Sequence, residues 1–328
     1  MDLPILNDFA TMKAAIIPRP GSIDIAEVPI PTPQDHQVLI RVESCGVCAS
    51  NLPRWEGKPW FTYPTTPGEL GHEGVGEIVG LGSAVDQWQL GDHVAFLSNH
   101  AYAEYDVASA SEMVLVPEQL GGTCIPGEPV GCAWNIFDRA GIGMASEVAI
   151  VGGGFLAALL IQLAVNAGAR VMAVTRRPFS PSVREILGQF DSVAFDDPGR
   201  SVERVERLTE GRMCDVVIEA AGKQEPLDLA AKLTRIRGRL VIAGYHQDGP
   251  RQVDMQLWNW RGIDVINAHE RDPAVYVEGI RRAYAAILQG ILNPKPLLTH
   301  HLPLSQLGEA LEFARLRPEG FMKAIIHL

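Results

Sequence analysis

The sequence predicts an α/β protein in two parts: a β-rich lobe, then a doubly wound parallel sheet, then a tail that rejoins the first lobe. Three observations carry this. Residues 12–117 are short alternating or β-branched runs broken by turn residues. From residue 147, strand-like and helix-like runs alternate, with a glycine-rich turn at the first changeover. From residue 297 the pattern is again strand at both ends, echoing the first lobe.

Residues 12–18 read as a first strand and 23–28 as a second; Pro29, Pro31 and Pro33 keep the following linker extended. Residues 37–43 alternate and deliver Cys45-Gly46-Val47-Cys48 and Ser50 onto a loop. A redox C-x-x-C opens a helix in a small βαβ domain, which is not the context here. A four-Cys zinc site needs a second pair, and none lies nearby. One Cys as metal ligand, with a bystander, is the reading left. The stretch with Trp55, Trp60, Phe61, Tyr63, Pro64 and Pro67 is either loop packing or a pocket wall. Gly71-His72-Glu73 then offers a nitrogen and a hard oxygen donor side by side. Alone, such a pair is more often a surface turn. Residues 76–81, 93–96, 103–107 and 113–116 read as further strands.

The second part opens with a helix over 133–140 and a buried strand over 147–151. Gly152-Gly153-Gly154-Phe155-Leu156-Ala157 follows, then a helix over 155–167 and a strand over 169–174. This is G-x-G-x-x-A in a strand-turn-helix-strand setting, where glycines let a pyrophosphate approach a helix N-terminus. Helices at 182–190, 201–209 and 225–233 alternate with strands at 192–195, 215–219, 238–243 and 264–268. A helix over 272–289, a strand over 297–302, a helix over 304–316 and a strand over 322–327 complete the chain.

Composition sets bounds. Hydrophobic residues at 47% and charged residues at 20% describe a globular chain. A net charge of -11 argues against nucleic-acid or anionic-membrane partners. Residues 148–174 are apolar but interrupted by Gly, Gln162, Asn166 and Arg170, so a membrane span is not expected. Five Cys, and a start with neither a basic nor an apolar leader region, predict reduced thiols in the cytoplasm.

Taken together, Gly71-His72-Glu73 with Gly76, Gly82 and Val85, Gly46-Val47-Cys48-Ala49-Ser50, and Gly91-Asp92-His93-Val94 resemble the medium-chain dehydrogenase/reductase superfamily. More narrowly, the chain resembles its zinc-dependent alcohol and polyol dehydrogenase branch, from about Met12 to the end. The resemblance implies a GroES-like catalytic domain over 1–129, completed by 270–328, and a Rossmann domain over 130–269. It implies one catalytic zinc on Cys48, His72 and Glu128, with Glu73 as an occasional fourth ligand, and no structural zinc. Ser50 is then the first proton relay, and catalysis is assigned to Cys48, His72 and Ser50. The cofactor falls to Gly152, Gly153, Gly154, Phe155, Leu156, Thr175, Arg176, Arg177, Ala243, Gly244 and Tyr245. A small-molecule alcohol or ketone substrate and a homodimer or homotetramer follow from the same likeness.

Three departures from the family pattern stand out. Asn51 replaces the Asp that commonly orients the ligand His, so Asn51 is expected to accept from His72 without charge. Pro53 replaces a relay His. Thr175-Arg176-Arg177 replaces the ribose-binding acid, which favours NADP(H) over NAD(H), unless the arginines are simply solvated. Cys45, Cys132 and Cys214 are expected as small apolar residues, Cys132 near the nicotinamide. Trp134, Trp258 and Trp260 are pocket wall or core, core being favoured for the last two. His246, His269 and Glu270 sit at strand ends where ligands bind. A zinc-free quinone or enone reductase, or a non-enzymatic dinucleotide-binding protein, are the competing functions; the retained Cys and His argue against both.

Overall fold

The computed structural model describes residues 10–328. It holds two compact units, one running to Glu128 and resuming over Leu298–Leu328, the other Pro129–Leu297. The first unit contains β1 (Thr11–Ile16), β2 (Asp24–Pro29), β3 (Gln37–Gly46), α1 (Leu52–Trp55), β4 (Gly74–Leu81), β5 (His93–Phe96), β6 (Tyr105–Ser109) and β7 (Met113–Leu115). The chain continues through α2 (Gly127–Ala140), β8 (Glu147–Val151), α3 (Phe155–Asn166), β9 (Arg170–Thr175), α4 (Pro181–Leu187), β10 (Asp191–Ala194), α5 (Pro198–Leu208), β11 (Cys214–Glu219), α6 (Gln224–Leu233), β12 (Thr234–Ile242), α7 (Met255–Arg261), β13 (Asp264–Asn267) and α8 (Pro273–Leu288). It closes with β14 (Leu298–Pro303), α9 (Leu307–Leu316) and β15 (Lys323–His327).

The first unit's main sheet runs β14-β15-β3-β4-β5-β7, with β6 also on β3. Only β14 and β15 pair parallel; the others are antiparallel. The long strand β3 is central because Val38, Ile40, Val42 and Cys45 all enter the core, against Ile78, Val94, Phe96, Tyr102 and Ile326. Glycines of β4 serve close approach: a Cβ on Gly76 would sit 2.2 Å from the carbonyl oxygen of Arg41 on the paired strand. The tail therefore does return to the first lobe. The return begins at Leu298, however, and 270–297 pack with the second unit, where α8 lies against α2 through Gly131 and Ile280.

The second unit's sheet is wholly parallel, in the order β10-β9-β8-β11-β12-β13. Numbered by appearance this is 3-2-1-4-5-6, the doubly wound dinucleotide-binding order. Val148 to Val151 and α3's Ala157 to Ile161 have no exposed surface at all, which accounts for their unbroken apolar sequence. The helix α7 lies outside the sequence expectations. Asp254 caps it, accepting from the Leu257 N–H at 2.9 Å, and Gly262 ends it at φ 59°. No residue of α7 is buried; Trp260, expected in the core, is 86% exposed, while Trp258 packs at the core's edge. Among the described residues, no helix is long and apolar enough to cross a membrane.

Candidate functional site

Strand β3 ends at Gly46, and Cys48 opens a short helical turn over Ala49–Asn51. The strand β4 begins just after Glu73, antiparallel to β3, so sheet register brings Cys48, His72 and Glu73 together. Their sulfur, nitrogen and carboxylate donors all lie within 4.8 Å of one another. Ser50 Oγ is 3.4 Å from His72 Nε2.

The imidazole is oriented by backbone, not by Asn51. His72 Nδ1 lies 2.9 Å from the Leu70 carbonyl oxygen, an acceptor only, so Nδ1 carries the proton and Nε2 is left as the donor atom. Leu70 itself is held at φ 81°, uncommon for a side-chain-bearing residue. Asn51 is buried and turned away: its Nδ2 donates to Tyr102 Oη at 2.9 Å, and that hydroxyl donates to the Gly46 carbonyl at 3.1 Å. The expected Asn51–His72 bond is thus replaced by a bond that ties the Cys48 turn to Tyr102. Asn51 does this because a neutral amide can donate where a carboxylate cannot.

Glu73 has a second partner besides the donor group. Its carboxylate is buried and faces the buried Lys323 of β15; Nζ lies 2.5 Å from both oxygens. Oε1 accepts the aligned hydrogen bond, and Oε2 has none. Gly46 makes room for it, since a Cβ there would lie 1.8 Å from Oε2. The carboxylate grouped with Cys48 and His72 is therefore also engaged by an ammonium group. Glu128, in the first turn of α2, is not within the 4.8 Å group, although its charge reaches His72 and Lys323. The sequence pattern places Lys323 only in a strand. Its signal was visible: a lone Lys in an apolar strand needs an anion.

The electrostatics ask for a cation. Burial pushes His72 down, but the Cys48 hydrogen bond and the charges of Cys48, Glu128 and Glu73 lift it to about 10. Burial likewise opposes the Lys323 ammonium, and Glu73, Cys48 and Glu128 more than offset it, raising its pKa. A thiolate, an imidazole nitrogen freed by the Leu70 bond, and a nearby carboxylate are the donor types zinc takes, so the residues fit that ion.

On the second unit, Gly152 turns at φ 142° beside Ala220, and Gly154 is the N-cap of α3 and supplies no side-chain capping bond. Thr175 ends β9 and is buried. Arg176 is exposed, stacks 5.2 Å over Phe195 and pairs with Glu225 of α6. Ala243 and Gly244 donate to the Glu219 carbonyl at 2.8 Å each. Tyr245 is exposed and stacks on His269 at 5.4 Å. His246 is committed to Glu219 and Arg251 rather than open to a ligand. Glu270 accepts from the N–H groups of Arg271 and Asp272 at 2.7 and 2.9 Å.

Of the expected pocket aromatics, Trp60 is half exposed and Tyr63 is used locally, donating to the Arg54 carbonyl. Trp134 Nε1 is buried without a partner. None of the five cysteines forms a disulfide; Cys45 and Cys214 are buried as expected, while half-buried Cys132 has its sulfur 3.1 Å from Tyr276 Oη.

Comparison with known proteins agrees with this architecture. Residues 34–160 match the family model described as alcohol dehydrogenase GroES-like domain, and 156–283 that described as zinc-binding dehydrogenase. Sorbitol dehydrogenase of Gallus gallus is 27% identical, with 94% of each chain covered. L-galactonate-5-dehydrogenase of Escherichia coli K12 is 24% identical, covering 97% of this chain and 99% of that one. Among solved structures, a protein of Sinorhizobium meliloti 1021 described as a zinc-binding dehydrogenase bound to NADP is 25% identical, with TM-score 0.81 over 97% of this chain and all of that chain. With a GroES-like unit and a Rossmann unit in one chain, the protein belongs to the zinc-dependent alcohol and polyol dehydrogenase branch of the medium-chain dehydrogenase/reductase superfamily.

Proposed function

We propose that the protein transfers a hydride between NADP(H) and an alcohol, polyol or ketone, with one zinc on Cys48 and His72. The observation that carries this is the donor cluster of Cys48, His72 and Glu73, on the turn after β3 and the turn before β4, with the His72 tautomer fixed by Leu70. When bound there, zinc supplies Lewis acidity toward a substrate oxygen. Glu128 is the carboxylate proposed to complete the set, because Lys323 already occupies Glu73. Ser50 Oγ, beside His72 Nε2, carries the hydroxyl proton toward solvent. Leu70 and the Asn51–Tyr102 bond hold the imidazole and the Cys48 turn in place, which keeps the reacting geometry fixed. The protein is proposed to act in the cytoplasm as a homodimer or homotetramer, a state that light scattering reads directly.

The choice of NADP(H) rests on Thr175, Arg176 and Arg177 and on the absence of an acid among them. The Arg176–Glu225 pair is exposed on both sides, so it is weak and yields readily to a phosphate dianion. A panel of alcohols and ketones assayed with NADPH and NADH is expected to favour NADPH. The double variant Arg176→Ala, Arg177→Ala should raise the KM for NADPH by about tenfold or more while moving NADH little. A wild-type preference for NADH would overturn the cofactor assignment.

A further inference from the structure

A closed chain of polar contacts joins the turns that follow β11 and β12. Glu219, the last residue of β11, is fully buried. Its Oε1 accepts from the N–H groups of Ala221 and Gly222, both at 2.7 Å. Its Oε2 lies 3.0 Å from His246 Nε2. On the other side of the ring, Arg251 Nε donates to His246 Nδ1 at 2.8 Å. A guanidinium has no acceptor, so Nδ1 must be the unprotonated nitrogen and Nε2–H donates to Glu219. His246 is therefore a neutral link with a fixed tautomer between a buried carboxylate and a guanidinium. Arg251 also donates to the Gly222 carbonyl at 2.9 Å and pairs with Asp248, which Lys223 holds at 2.5 Å. The two turns touch so closely that a Cβ on Gly244 would lie 2.2 Å from the Gly222 nitrogen.

The place of this network in the sheet gives it a role. The turn after β8 receives the pyrophosphate and the end of β9 the adenosine ribose. The ends of β11 and β12 lie on the other side of β8 in the strand order, so they face the second half of a dinucleotide. We infer that Glu219, His246 and Arg251 are positioning residues for the nicotinamide half of the cofactor, acting by fixing the backbone of residues 243–245. This rests on the dinucleotide-binding function proposed above. As positioning residues they touch no reacting atom. A network closed on itself rigidifies the turns in a way that apolar packing of the same volume would not.

Ligand binding separates this role from simple stability. His246→Leu keeps the volume but removes both polar ends. His246→Gln keeps them, since its amide N–H₂ can reach Glu219 and its carbonyl can accept from Arg251. Binding of NADPH is read by its fluorescence, and binding of 2'-phospho-ADP-ribose, which has no nicotinamide, by calorimetry. The expected result for His246→Leu is NADPH weakened about tenfold, with 2'-phospho-ADP-ribose changed less than about twofold, and recovery to within about threefold in His246→Gln. Arg251→Met, which keeps the Glu219–His246 contact, serves if His246→Leu does not fold; it should show the same split at smaller size. Equal weakening of both ligands, no weakening of either, or a Gln variant no better than Leu would overturn the inference. A wild-type chain that binds neither ligand would instead sink the dinucleotide function, and this inference with it.

Discussion

Replacing Lys323 by Met is expected to lower the stability of the metal-free protein by about 3–5 kcal/mol. The cause is not the lost attraction alone. Glu73 is buried behind Gly46, and without Lys323 its carboxylate keeps its desolvation cost with no ammonium to offset it. Removing both charges, as Lys323→Met with Glu73→Leu, should recover most of the loss, because a buried ion pair is near neutral against apolar groups of like volume. Added zinc should restore Lys323→Met more than it stabilises the wild type. In that variant Glu73 is free to join Cys48 and His72, and a ligand that binds only the folded state stabilises it by mass action. Urea midpoints with and without zinc measure all three effects. An unchanged midpoint in metal-free Lys323→Met would remove the pair from the site's energetics.

Cys48→Ser is expected to cut turnover by about 10²–10³-fold or more, the loss associated with removing one preorganised charge-stabilising element. Cofactor binding should not change, because the residues proposed for it lie in the second unit while Cys48 lies in the first. A steady-state assay paired with NADPH binding separates the two. Retained turnover would show that the Cys48–His72 cluster is not where the chemistry occurs.

Much of the fold was legible because its signals were local. The parallel sheet announced itself through apolar runs such as residues 148–151, buried on both faces, each followed by a turn and a helix. The Cys48, Ser50 and His72 cluster was legible through motif spacing, and the strand pairing brings these residues together. What was not legible depends on partners distant in sequence. That Glu73 also pairs with an ammonium group depends on Lys323, on a strand at the other end of the chain. Whether Asn51 faces His72 or the core is decided by the hydroxyl of Tyr102. The orienting acceptor for His72 is a backbone carbonyl, which no side-chain motif reports. The helix α7 escaped because none of its residues is buried, so no apolar period marks it; only its caps, Asp254 and Gly262, were there to be read. The return point slipped to Leu298 because α8's apolar face fits either unit by pattern, and only contact with α2 assigns it.

The most direct test of the zinc-dependent chemistry is the zinc content of the purified, dialysed protein by elemental mass spectrometry, run beside Cys48→Ser. About one zinc per wild-type chain and less than about a tenth in the variant are expected. A wild-type chain holding less than about half a zinc, or a variant holding as much as the wild type, would contradict it.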